Sequence, residues 1–259
     1  MGSSSKLVLL CGYYGYGNGG DEALLATLLQ MLPESVTPVV MTATPAETAE
    51  QHQVETCDRN SPLSVLKLMT RAEGFIWGGG SLIQDSTSWL SPLYYILWMS
   101  IAQLLRLKTV AWAQGIGPLR RPVIRAIASW SFGHCTARST RDTGSSKLLD
   151  QWRLDYRIAP DPVWAMAGHV PPSLGPTSGS GTELNVKTVA VVLRAHPLLT
   201  KDRLNTLIQA FIQFQAETQA HLLLLPFQRS QDYDIARTIE ARLSGNRSLL
   251  MCDNPRQLK

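Results

Sequence analysis

Short runs of consecutive apolar residues alternate along this chain with longer segments in which apolar residues recur every three or four positions. The short runs at 6–11, 36–41, 74–77, 109–113, 135–139 and 156–158 predict strands, and the periodic segments predict helices. The first helix covers 22–32 and is stopped by Pro33. The next covers 61–71, with Ser61 as N-cap and Pro62 at the first helical position. Helices at 92–106, 122–130 and 143–152 complete the series. Strands that alternate with helices argue for βαβ units and a parallel sheet. Such a sheet is covered on both faces, which explains strands that are almost wholly hydrophobic rather than alternating.

At 171–181 the chain reads PPSLGPTSGSG, the composition of a linker. Beyond it the alternation restarts, with strands at 188–193, 221–225 and 248–251 and helices at 201–217 and 232–243. The expected organisation is α/β, with two Rossmann-like domains built on parallel sheets. The first spans 1–170, the linker 171–186 and the second 187–259. Three strands fall short of the roughly five or six of an ordinary sheet, so the second domain is expected to be incomplete.

Composition narrows the function classes. Of 259 residues, 44% are hydrophobic and 17% charged, the latter below the roughly 25% of soluble domains. This excludes a disordered chain and a disulfide-dense scaffold. A net charge of +4 without a dense Lys/Arg run gives no nucleic-acid groove. The four cysteines, Cys11, Cys57, Cys135 and Cys252, form no CxxC pair. Cys11 and Cys135 sit in strand-like runs and read as reduced core residues, which fits a cytoplasmic protein. The first residues lack the basic region and apolar core of a signal peptide. The most hydrophobic stretch, 90–107, is interrupted by Pro92, Ser100, Gln103 and Arg106. It falls short of the about 20 apolar residues that span a bilayer. It reads first as a buried helix, and second as a helix that touches a membrane surface.

Three glycine-rich segments follow strands. The first runs from Gly12 to Glu22 and holds five glycines, Asn18, Asp21 and Glu22. Gly15, Gly17 and Gly20 satisfy GxGxxG. The acid that would hold a ribose about 20 positions later is missing, because the second strand ends Met41-Thr42-Ala43-Thr44. Asp21 and Glu22 also occupy the first helical turn, where they suit the helix dipole but repel a phosphate. A dinucleotide oxidoreductase is therefore the least favoured reading. The other two segments are Trp77-Gly78-Gly79-Gly80-Ser81 and Gln114-Gly115-Ile116-Gly117-Pro118. All three are expected on the carboxyl edge of one sheet, where open α/β sheets bind ligands, and glycines there allow close approach to the backbone. Arg138 or Arg141 could clamp a carboxylate or phosphate. Equally, Asp142 could cap the following helix and pair with Arg141. In the second domain, Arg194 and His196 end one strand and Gln228, Arg229 and Asp232 follow the next. That placement, at an expected interdomain cleft, suits an anionic ligand.

In order and spacing these motifs resemble the polysaccharide pyruvyl transferase family, in its bacterial cell-wall branch. The matching residues are Gly12-Tyr13-Tyr14-Gly15 with Asn18 and Gly20-Asp21-Glu22-Ala23-Leu24-Leu25; Gly78-Gly79-Gly80-Ser81-Leu82 with Gln84-Asp85; Gln114-Gly115-Ile116-Gly117-Pro118; Arg141-Asp142 with Ser145; Asp161-Pro162; Leu193-Arg194; and Leu225-Pro226 with Gln228 and Asp232. The likeness implies a two-domain fold of the GT-B glycosyltransferase kind, with the acceptor on the first domain and the donor on the second. It implies transfer of a pyruvyl group from phosphoenolpyruvate to a sugar of the N-acetylmannosamine type, free or lipid-linked, as a cyclic ketal. No cofactor is expected beyond this donor substrate, and no metal.

Asp21, Glu22 and His196 are the expected catalytic residues. Gly15, Asn18, Gly20, Gly79, Gly80, Ser81, Gln114, Gly115, Arg141, Ser145, Arg194 and Gln228 are expected to bind substrate. The family's second domain continues further, with an Arg-x-His-Ser segment that helps hold the donor, so this chain is expected to be truncated. The competing readings are a nucleotide-sugar glycosyltransferase and an inactive truncated domain.

Overall fold

A computed structural model describes residues 5–168 and 187–251. The expected linker and Cys252 lie outside the described residues. The chain divides into two compact units, one of Met1–Tyr16 with Gly20–Ala167, the other of Gly17–Gly19 with Gly168–Lys259.

The first unit alternates strands and helices in the order β1 (Lys6–Cys11), α1 (Gly19–Met31), β2 (Val36–Thr42), α2 (Pro45–His52), β3 (Glu55–Asp58), α3 (Pro62–Met69), β4 (Gly74–Ile83), α4 (Leu90–Leu104), β5 (Lys108–Ile116), α5 (Pro122–Gly133), β6 (Ala137–Thr140), α6 (Thr143–Gln151) and β7 (Arg157–Ile158). A 3-10 turn follows at Pro162–Ala165. The strands form one sheet in the order β3-β2-β1-β4-β5-β6-β7, and every pairing is parallel. Alternate residues of the strands feed two separate cores. Leu9, Cys11, Val39, Met41, Phe75 and Trp77 pack with α3, α4, α5 and α6. Val8, Leu10 and Val40 pack with Leu25 and Leu28 of α1. This two-sided cover is the reason the strands read as unbroken apolar runs. Cys11 and Cys135 are buried free thiols, and burial pushes both up to about 12.

The second unit carries β8 (Thr188–Val191), α7 (Lys201–Thr218), β9 (His221–Leu224), α8 (Arg229–Glu240) and β10 (Arg247–Leu249). Its three strands are parallel, in the order β10-β9-β8. Val191, Leu222 and Leu224 pack against Ile208 of α7 and Ile239 of α8.

Two elements, α2 and β3, have no counterpart in the hydrophobic pattern. The helix is polar, and the four-residue strand ETCD lies at the sheet edge with only Cys57 buried. The segments expected as glycine loops after 77 and 113 are themselves strand, because β4 runs on to Ile83 and β5 to Ile116. Gly79 and Gly80 adopt φ of 88° and 85° there, and the register against β5 shifts between Gly80 and Ile83. That is the signature of a bulge that re-aims the strand end.

Candidate functional site

Strand order reverses between β1 and β4, which makes the carboxyl ends of these two strands the topological switch point of the sheet. Gly12 to Gly15 leave β1 on one side of it and Gly78 to Gly80 lie on the other. Tyr14 fills the gap. It is 1% exposed, and its hydroxyl donates to the Gly78 carbonyl at 2.9 Å. A Cβ on Gly78 would stand 1.7 Å from that hydroxyl. Burial, reinforced by the nearby Asp21 carboxylate, pushes the Tyr14 phenol well above its ordinary range, so it stays a donor. Gly15 has a φ of 79° and sits so close to the end of β2 that a Cβ would meet Thr42 Oγ1 at 2.3 Å. Its N–H donates to Glu22 Oε1 at 2.8 Å.

The two acids of α1 therefore have different surroundings. Glu22 is buried, holds the Gly15 amide, and lies 3.9 Å from His52 Nε2. Asp21 is half-buried, and its Oδ1 lies 3.0 Å from where a Cβ on Gly80 would be. Asn18 is half-buried just ahead of α1, and Gly20 is exposed in its first turn.

Further along the edge, Ser81 is exposed, and its Oγ and Arg141 Nε flank Gly115, at 2.8 and 3.6 Å from a Cβ built there. Asp21, Gly80, Ser81, Gly115 and Arg141 thus form one string along the carboxyl edge of β4, β5 and β6. Beneath it Gln114 is fully buried. Its Nε2 donates to the Trp77 and Trp112 carbonyls, while its Oε1 has no hydrogen-bond partner.

Arg141 pairs with Asp161 at 2.6 Å, not with Asp142. An anion at Arg141 has to compete with that carboxylate. Asp142 caps α6 through the Ser145 amide. The Ser145 hydroxyl donates to Asp142 and accepts from the Ile116 amide, both at 2.8 Å. With 2% exposure it positions β5 and α6 from inside. Arg138 is turned to the Asp155 and Cys135 carbonyls. Asp85 accepts from the Arg120 and Arg121 amides, which hold its carboxyl below the usual range.

One residue outside the glycine motifs also belongs to this edge. Arg59 follows β3 and is 7% exposed. Its Nη1 donates to the Gly12 carbonyl at 2.8 Å. Its guanidinium lies over the rings of Tyr94, Tyr16 and Tyr95, at 4.7, 5.2 and 5.6 Å from the centroids. Tyr16 in turn stacks on Tyr13. A lone arginine between Asp58 and Asn60 reads as a surface turn. Only the tertiary structure reveals it as the anchor of the first glycine loop.

In the second unit, Arg194 leaves the carboxyl end of β8. Its Nη2 donates to Gln228 Oε1 at 2.8 Å and to Gln231 Oε1 at 2.7 Å. Asp232 is 2% exposed and accepts from the Gln228 amide. Both partners of the Arg194 side chain are neutral, and among the described residues no carboxylate forms an ion pair with it. His196 is exposed, and its Nδ1 accepts from the Leu198 amide. Among the described residues no group of three or more His, Cys, Asp or Glu could hold a metal ion.

The family model for polysaccharide pyruvyl transferase matches residues 18–259. No curated protein matches the chain. Among solved structures, the UDP-GlcNAc 2-epimerase of Methanocaldococcus jannaschii is similar, with a TM-score of 0.60 and 8% identity over 98% of this chain and 76% of that one. A putative UDP-N-acetylglucosamine 2-epimerase from Listeria monocytogenes gives 0.56 and 10% identity over 100% and 71%. At such identities the likeness shows the fold, which is that of GT-B-like epimerases.

Proposed function

The chain belongs to the polysaccharide pyruvyl transferase family, and from that premise we propose that it moves a pyruvyl group from phosphoenolpyruvate to a saccharide as a ketal. The acceptor is a cell-wall or exopolysaccharide sugar of the N-acetylmannosamine type, free or lipid-linked, and the reaction runs in the cytoplasm. The observation that carries this reading is Arg194, whose guanidinium is held by the neutral oxygens of Gln228 and Gln231. Nε and Nη2 are engaged by these amides, so the uncompensated charge meets a carboxylate or phosphate through Nη1. Arg141, already neutralised by Asp161, is the weaker anion site.

In the reaction a proton adds to the terminal enol carbon and a sugar hydroxyl attacks the carbon beside it. Phosphate leaves, and a second hydroxyl closes the ketal. Of the two hydroxyl protons given up, one balances the new C–H bond and the other leaves with phosphate. Asp21, whose carboxylate faces Gly80 on the carboxyl edge, is the base for the acceptor, and Glu22 holds the Gly15 amide in place. The backbone of Gly79, Gly80 and Gly115, with Ser81, lies along the acceptor, and the buried Gln114 supports it from beneath. His196 keeps Nδ1 as an acceptor toward Leu198, which leaves Nε2 to donate to the donor anion.

The test is phosphate release from phosphoenolpyruvate with a mannosaminyl acceptor. Arg194→Ala is expected to lower it about a hundredfold, the loss of a charge-assisted contact in the reacting complex. Absence of release from the folded wild type overturns the reading. A melting temperature raised by a nucleotide sugar but not by phosphoenolpyruvate assigns the chain to nucleotide-sugar chemistry instead.

A further inference from the structure

Helix α4 contains no charged residue from Leu90 to Leu104. One face is core, with Tyr95, Ile96, Trp98, Met99 and Ala102 buried. The opposite face carries Leu90, Leu97 and Leu104, which are 59%, 55% and 76% exposed. Seven-residue spacing puts these three on one line, about 21 Å long at 1.5 Å per residue. A surface helix ordinarily carries charged or polar residues on that face, and here the line is leucine from end to end.

The neighbouring helices extend the surface. Val65 and Met69 of α3, Met99 of α4, and Ala128 and Phe132 of α5 share one buried cluster, so the three helices lie on the same side of the sheet. On their outer sides α3 exposes Leu63, and α5 exposes Val123 and Trp130. Nine of the sixteen large apolar side chains exposed among the described residues lie on these helices or at the caps of α4. Concentration of this kind marks an interaction surface rather than ordinary scatter.

Charge decides what covers it. Between residues 62 and 134 there are seven basic residues and two acidic ones, a balance of +5 against +4 for the whole chain. The basic residues are Lys67, Arg71, Arg106, Lys108, Arg120, Arg121 and Arg125. Of the acids, Asp85 is buried against backbone amides, which leaves Glu73 alone at the surface. A leucine line on a segment this rich in lysine and arginine, with half-exposed Trp89 and Trp130, matches an anionic bilayer surface. Apolar side chains enter the headgroup boundary, cations meet lipid phosphates, and tryptophan favours the interface. Among the described residues no helix is long and apolar enough to cross a membrane.

We propose that the outward face of α4, with the flanks of α3 and α5, seats the protein on an anionic membrane surface. The proposal is independent of the catalytic reading, because none of these side chains belongs to the carboxyl-edge site.

The test is cosedimentation of the full chain with phosphatidylglycerol–phosphatidylcholine vesicles and with phosphatidylcholine alone. Wild type should bind the anionic vesicles about tenfold more strongly than the neutral ones. The pair Leu97→Glu and Leu104→Glu should lose about tenfold in binding while keeping the wild-type circular dichroism and melting temperature. The pair Lys67→Gln and Arg121→Gln, both exposed, should bring anionic binding toward the neutral level. If folded wild type stays in the supernatant with both lipids, or the leucine pair binds as wild type does, the proposal fails. It also fails if wild type sediments as a dimer that Leu97→Glu dissociates with lipid binding unchanged, because a second copy then covers the face.

Discussion

The carboxyl edges of the two parallel sheets are built by different means. In the first unit the edge is mostly backbone. Gly15, Gly79 and Gly80 take left-handed conformations, and Tyr14 closes the gap under Gly78. Four carboxylates, Glu22, Asp85, Asp142 and Asp161, are each spent on backbone amides. In the second unit the edge is side chain, a guanidinium held by two glutamines. A backbone edge is fixed once the sheet forms. A side-chain edge exchanges partners at small cost where its hydrogen bonds are exposed, as between Arg194 and Gln231, each worth about 1 kcal/mol. One unit thus offers a rigid shape and the other an adaptable charge.

Gly78→Ala should break the first edge outright. Its Cβ collides with a buried phenol that has no room to retreat, so about 3 kcal/mol or more is lost, read by urea unfolding. Tyr14→Phe keeps the ring and leaves the Gly78 carbonyl unpaired, for about 1–2 kcal/mol. Gln231→Ala at the second edge should change stability by no more than about 0.5 kcal/mol, since the residue is exposed. It should raise KM for phosphoenolpyruvate by loosening Arg194. A stability loss like that of Gly78→Ala would erase the distinction between the edges. The smallest effect belongs to Asp85→Asn. The carboxyl has a lowered pKa when folded, so its contribution is present above the unfolded value of about 3.9 and vanishes as pH falls through the folded one. The melting temperatures of variant and wild type should differ at pH 7 and converge below about pH 4.

The parallel fold is legible because strands covered on both faces are mostly apolar, and the runs 7–11, 39–41, 110–113 and 222–224 are wholly so. The pattern is silent where one side is open. The edge strand β3 buries one residue of four, and α2 has a polar sequence, PAETAEQH. Of the candidate site, the glycine segments and the acids at 21 and 22 could be read from spacing. The division of labour between those acids could not, because it depends on the Gly15 amide coming round to meet Glu22. Arg59 was invisible for the same reason, since its partners Gly12, Tyr94 and Tyr95 are separated from it by 35 to 47 residues.

The central place of β1 has a consequence during synthesis. Its first neighbour, β2, follows within one helix, but its second, β4, is completed only at Ile83. At about 5–20 residues per second, the other edge of Lys6–Cys11 is without its native partner for several seconds. That strand is almost wholly apolar, and an open edge of this kind pairs readily with other chains. The nascent chain is thus most prone to aggregate before β4 is made, and slower translation between β2 and β4 should lower its soluble yield.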